Sequence, residues 1–86
     1  MSDMADPKTL KTLIEAGSVR DALAVADGRK WRAEINVGMS RRAISTKRGE
    51  LRMWSSLDSL ARYLKEVGIV KWSVDATYLS SQDQMI

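Results

Sequence analysis

The chain has 86 residues, with 14 Lys and Arg, 11 Asp and Glu, a net charge of +3, and neither cysteine nor histidine. That length holds one domain, 1–86, with one core. Lack of cysteine excludes disulfides, thiolate nucleophiles, iron–sulfur clusters and thiolate zinc sites, and lack of histidine removes the usual general base and the commonest neutral metal ligand.

The carboxylates, lysines, serines and tyrosines that remain have no catalytic spacing, and no acidic cluster resembles a calcium loop. The expectation is a non-enzyme with no cofactor and no metal. Apolar residues at 44% and charged residues at 29% fit an ordinary globular chain. No apolar run approaches the roughly 18 residues of a membrane span. The start, MSDMADPK, is polar and acidic and unlike a signal peptide, so a cytoplasmic protein without membrane contact is expected.

In chain order, Asp6-Pro7 predicts a helix start, a carboxylate cap before a proline suited to the first turn. Leu10, Leu13 and Ile14 follow the helical period, and Gly17 supplies the stop. From Val19 the period changes to two: Val19, Leu23 and Val25 share one parity, although Asp21 interrupts them, and Asp27-Gly28 signals a hairpin. On the return strand Trp31, Ala33, Ile35 and Val37 face inward, while Arg32, Glu34 and Asn36 face outward. Gly38 to Arg41 reads as a loop, Arg42 to Thr46 as a third strand, and Lys47-Arg48-Gly49 as a turn. Glu50 to Trp54 reads as a fourth strand with Leu51 and Met53 inward.

A second helix follows, capped by Ser55 with Asp58 three residues on and closed by Gly68. Its buried stripe is Leu57, Leu60, Ala61, Leu64 and Val67; Asp58, Arg62 and Glu66 form a solvated charge ladder, and Tyr63 lies half buried beside the stripe. Ile69 to Ala76 is the last strand, burying Val70, Trp72 and Val74. The ordered core is expected over about 7–78, with frayed ends at 1–5 and 79–86. The fold class is α+β: a short N-terminal helix, a four-stranded antiparallel meander, one amphipathic helix and a final strand, with the helices on one sheet face. The last strand lies either parallel beside the fourth strand or antiparallel beside the first, and the second placement is favoured because small meanders are mostly antiparallel.

Charge is segregated. Residues 29–52 hold eight bases against two acids, a net of +6, while 1–28 hold three against five and 53–86 three against four. Such a field suits a polyanion, either DNA or an acidic protein or nucleoprotein complex. Arg32 and Arg52 project from the outer sheet face, Arg41 and Arg42 flank a loop, and Lys47 and Arg48 occupy a turn. These six are the candidate phosphate contacts; a solvated face is the plainer alternative. Trp54 breaks parity with Leu51 and Met53 and is either an exposed anchor or stacking platform, or a residue packed over the first helical turn. Trp31 and Trp72 belong to the core.

The segments Gly38-Met39-Ser40-Arg41-Arg42, Arg48-Gly49-Glu50-Leu51-Arg52, Gly68-Ile69 and Val74-Asp75-Ala76, with Glu15 to Arg20 before them, resemble the ParC-like partition-associated proteins of conjugative plasmids and integrative elements. The resemblance spans nearly the whole folded chain, but a long basic C-terminal extension is missing. It implies an accessory protein of a mobile genetic element and brings no catalytic residue. Three readings follow. The first is a binding module for DNA or a DNA-bound maintenance complex, with Arg32, Arg41, Arg42, Lys47, Arg48 and Arg52 on phosphates and Trp54 stacking or packing. The second is a small protein-binding inhibitor of host defence, of anti-CRISPR type. The third is a homodimer through an exposed edge strand.

Overall fold

The computed structural model describes residues 4–79. The elements in order are β1 (Met4–Ala5), α1 (Pro7–Glu15), β2 (Val19–Asp27), β3 (Lys30–Val37), β4 (Ser40–Ile44), α2 (Leu57–Val67) and β5 (Trp72–Asp75). One five-stranded sheet runs β1-β4-β3-β2-β5. Strands β2, β3 and β4 form an antiparallel meander. At the margins β1 lies parallel to β4, and β5 parallel to β2. The class is α+β with a mixed sheet, which corrects the expected four-stranded antiparallel meander.

The correction has one source. Residues 50–54 do not form a strand; they make only two isolated bridges, Ser45 with Leu51 and Trp31 with Trp54. The outer edge of β4 goes instead to Met4 and Ala5, with Ser45 donating its N–H to the Ala5 carbonyl at 2.9 Å. Residues 46–50 close a tight turn in which Thr46 Oγ1 accepts from the N–H groups of Arg48 and Glu50, and Gly49 takes φ 88. With one strand fewer in the meander, α2 returns the chain in the opposite sense. The last strand therefore does sit beside the first meander strand, but parallel to it. The same pairing corrects the N-terminal end: Met4 and Ala5 are a strand rather than frayed. The fraying expected at 1–3 and 80–86 lies outside the described residues, and Leu79 bridges to Gly28.

Both helices have defined ends. Asp6 caps α1, accepting the Thr9 N–H at 2.8 Å, with Pro7 in the first turn. Past Ala16, Gly17 bonds back to Ile14 and Ser18 to Leu13, a Schellman closure that requires the positive φ of 71 found at Gly17. In α2 the cap is Ser56 rather than Ser55, accepting from the Ser59 N–H at 3.1 Å. Gly68 at φ 103 closes it, with Ile69 donating to Leu64. Asp58, Arg62 and Glu66 are exposed and form no ion pair with one another.

The core lies between one sheet face and the two helices. Leu10, Leu60 and Leu64 pack on Trp31, Ala33, Ile35 and Ile44. From β2 the inward residues are Ala22, Ala24 and Ala26, set opposite Ile35, Ala33 and Trp31. Leu23 and Val25 point to the other face, the reverse of the expected parity. A bulge between Val19 and Asp21 is the cause: Val19 pairs with Val37 on the helix side, and the extra residue swaps every side chain after it. Small residues on β2 leave room for the large ones on β3, and the layers interlock.

Two other inward placements fail at the periphery. Leu51 is exposed and Met53 only half buried, because that segment meets the sheet only at the two isolated bridges. Val70 and Val74 are exposed and Trp72 is half buried against the core, because β5 lies at the sheet margin.

Candidate functional site

On the face away from the helices, the register sets Asp21, Leu23, Val25 and Asp27 of β2 beside Asn36, Glu34, Arg32 and Lys30 of β3, with Arg41 of β4 opposite Asn36. Arg32 lies between two acids, its Nε 3.3 Å from Glu34 and its Nη1 3.8 Å from Asp27. Arg41 reaches the other Glu34 oxygen at 3.6 Å and donates from Nε to the Asn36 side-chain oxygen at 3.3 Å. The Asn36 amide in turn donates to Asp21. A continuous chain of alternating groups thus runs Asp21, Asn36, Arg41, Glu34, Arg32, Asp27. Central β3 makes this possible, since Glu34 has an arginine within reach on its own strand and on β4. The two arginines carry little net field here, because each faces a carboxylate.

The other candidates are placed separately. Arg42 pairs with Ile35 and so stands on the helix side of β4; its Nε is buried without a hydrogen-bond partner. Trp54 is only 6% exposed, and its backbone exchanges bonds of 2.8 and 2.9 Å with Trp31. It packs and does not stand out as an anchor. Its ring meets Tyr63 at 5.2 Å and 48°, and the Arg52 guanidinium lies 5.0 Å from the Trp54 centroid and 4.7 Å from that of Tyr63. Burial pushes the Tyr63 hydroxyl pKa up, against the opposing pull of Arg52. Lys47 and Arg48 are exposed at the tip of the Thr46–Glu50 turn.

One gathering does emerge, at an end of the sheet rather than on its face. The Asp27–Lys30 turn opens β3 beside the close of β4, where the 46–52 loop leaves. Arg29, Lys30, Lys47, Arg48 and Arg52 all belong to this end. Both helices begin there, α1 after the Ala5–Ile44 pair and α2 after the Trp31–Trp54 bridge, and helix N-termini add partial positive charge. Of the acids nearby, Asp27 is held by Arg32, Asp6 by the α1 cap and Asp75 by Thr77. The Thr9 bonds at Asp6 and the Thr77 bonds at Asp75 keep both carboxyl pKa values low. Glu50 and Asp58 remain uncommitted. Lys30, Lys47, Arg48 and Arg52 take part in no ion pair among the described residues.

A family model described as ParC-like matches residues 5–81. The chain belongs to the ParC-like family. No curated protein and no solved structure matches it. In this ParC-like protein the segments that carried the resemblance are turns and closures. Gly38 at φ 61 turns β3 into β4, Gly49 turns the basic loop, Gly68-Ile69 closes α2 and Val74-Asp75-Ala76 ends β5.

Sequence reasoning missed three residues of this surface. Glu34 and Asp27 neutralise the arginines expected to meet phosphate, and Tyr63 completes the aromatic seat under Arg52. The i, i+2 spacing of Arg32 and Glu34 on one strand was the available signal for the first. Among the described residues no group of three acidic side chains stands close enough to hold a metal, and no helix is long and apolar enough to cross a membrane.

Proposed function

We propose that this chain is a non-enzymatic accessory protein of a mobile genetic element, acting in the cytoplasm on DNA or on a DNA-bound maintenance complex. The observation that supports this reading is the gathering of Lys30, Lys47, Arg48 and Arg52 at one end of the sheet, outside any ion pair. Phosphates pair most readily with cations that have no carboxylate in contact, so in this reading the contacts are these four side chains rather than Arg32 and Arg41. Arg32 and Arg41 become supports of the sheet face, and Trp54 with Tyr63 becomes a seat that fixes the Arg52 guanidinium.

The test is duplex DNA binding followed by anisotropy over a range of salt. Each phosphate contact adds about 0.9 to the slope of log affinity against log salt, so Lys47→Ala with Arg48→Ala together flatten it by nearly 2. Arg41→Ala leaves it almost unchanged. Absence of any shift at micromolar protein, or binding indifferent to salt, sinks the proposal.

A second reading, a protein-directed inhibitor of host defence, is supported by the mixed-sign chain on the open sheet face. Alternating acids and bases match a protein surface better than a phosphate backbone, and they give register and specificity. Pull-down from host extract with and without nuclease separates the two readings. A complex that survives nuclease favours direct protein contact, and one that disappears favours DNA.

A further inference from the structure

Strand β5 is the outermost strand beside β2, and among the described residues its far edge has no partner strand. An unpaired edge presents N–H and C=O groups ready to receive another strand, and natural edges are commonly blocked by a proline, a bulge or an inward charge. No proline and no bulge guards β5, whose register with β2 is unbroken from Trp72 to Asp75; its protection is its short length, four residues, and Lys71 just before it. Apolar side chains stand exposed along it: Val74 at 46% and, just before it, Val70 at 84%. Both share parity with Trp72, the parity of the helix-covered side.

The run Lys71-Trp72-Ser73-Val74-Asp75 complements itself when reversed. With a second copy laid antiparallel and Ser73 opposite Ser73, Trp72 meets Val74 of the second copy, and Val70 meets Ala76, all on one face. On the other face Lys71 meets Asp75, twice by symmetry. Registers centred on Lys71 or on Asp75 set like charges opposite each other and are disfavoured. Lys71 makes no ion pair of its own among the described residues. The Asp75 carboxylate accepts from Thr77 through Oδ1 alone, which leaves its other oxygen for a lysine.

We propose that the chain forms a two-fold homodimer through β5, the two edges pairing antiparallel about Ser73. The occupant of the edge is a second copy of this chain, because the edge supplies its own complementary charge and its own apolar partner. The contact is isologous, each surface meeting itself. The two five-stranded sheets become one continuous sheet with all helices on the same side. The two basic ends then point in opposite directions along the strands. This inference is independent of what those ends bind.

An edge of four strand residues covers less than the roughly 1,200–2,000 Å² of a stable interface, so the dimer is weak and concentration-dependent. Sedimentation equilibrium of the full chain from about 10 μM to 1 mM should show monomer passing to dimer, without higher species. Lys71→Asp, which sets acid against acid at both symmetric pairs, is expected to weaken association at least about tenfold, and Asp75→Lys to do the same. Each alone is then monomeric, whereas an equal mixture of the two variants restores the dimer as a heterodimer. Val74→Lys, at an exposed position that leaves the monomer folded by circular dichroism, also abolishes association. A monomer throughout the concentration range overturns the proposal. So does a dimer that Lys71→Asp and Val74→Lys both leave intact.

Discussion

Strand β3 lies third of five in the sheet and strand β5 at its margin, yet both alternate apolar and polar residues in the same way. On β3 the apolar set is shut away, with Trp31 at 8% exposure and Ala33 and Ile35 at 0%. On β5 the equivalent set stands partly in water. The neighbours make the difference. β3 has a strand on each side and α2 packed on it, whereas among the described residues β5 has β2 on one side only and Val74 left 46% exposed. Alternation chooses which face a side chain takes; position in the sheet decides whether that face is dry.

Large-to-small substitution tests this contrast most strongly. Ile35→Ala removes a fully buried side chain from the centre and is expected to destabilise by about 2–5 kcal/mol in urea unfolding. Val74→Ala, at the margin, should change monomer stability by less than about 0.5 kcal/mol. A loss of several kcal/mol at Val74 in dilute protein would mean that the edge is covered within a single chain, and would remove the contrast.

What the residues disclosed in advance follows the same division. Local chemistry was legible: the Asp6 cap, the glycine closures, the Asp27-Gly28 turn and the inward set of β3 depend only on near neighbours in sequence. Non-local competition was not. The β2 parity was inverted by a bulge at Arg20, whose one mark in the pattern is Asp21 falling on the parity of Val19, Leu23 and Val25. The fourth strand was lost because a distant dipeptide, Met4-Ala5, takes the edge that it needed. That loss also turned the final strand parallel. Two members of the candidate surface, Arg32 and Arg41, turned out to be paired for a related reason: counting bases along the chain does not reveal that Glu34 lies within ion-pair distance of both.

The helical cover over β3 is held down by its caps, so weakening a cap should loosen β3 and spare β5. Asp6→Ala and Ser56→Ala are each expected to destabilise the fold, Ser56→Ala by about 1 kcal/mol, with faster amide exchange in β3 than in β5. Only the first depends on pH. The Thr9 bonds hold the Asp6 carboxyl below its ordinary range, so it binds its proton less readily folded than unfolded. Its contribution is therefore present above the unfolded value of about 4 and fades as pH falls through the lower folded value. The gap between wild type and Asp6→Ala should close in acid, while that for Ser56→Ala should not.

The smallest effect on stability is expected on the outer side of β3, where Glu34→Gln removes the carboxylate shared by Arg32 and Arg41. These pairs, at 3.3 and 3.6 Å, are partly open to water, and exposed pairs are screened, so the loss should stay within about 1 kcal/mol and shrink with salt. The effect on the field is larger than the effect on stability. Two guanidinium groups lose their common counter-charge, and the open face turns from mixed to positive. If neutralisation by Glu34 is what keeps that face from meeting phosphate, Glu34→Gln should bind duplex DNA more tightly than wild type and steepen the salt slope by up to about 2. If the slope does not move, Asp27 and Asn36 hold the arginines without Glu34, and the open face is a polar scaffold whose job is to keep β3 in register.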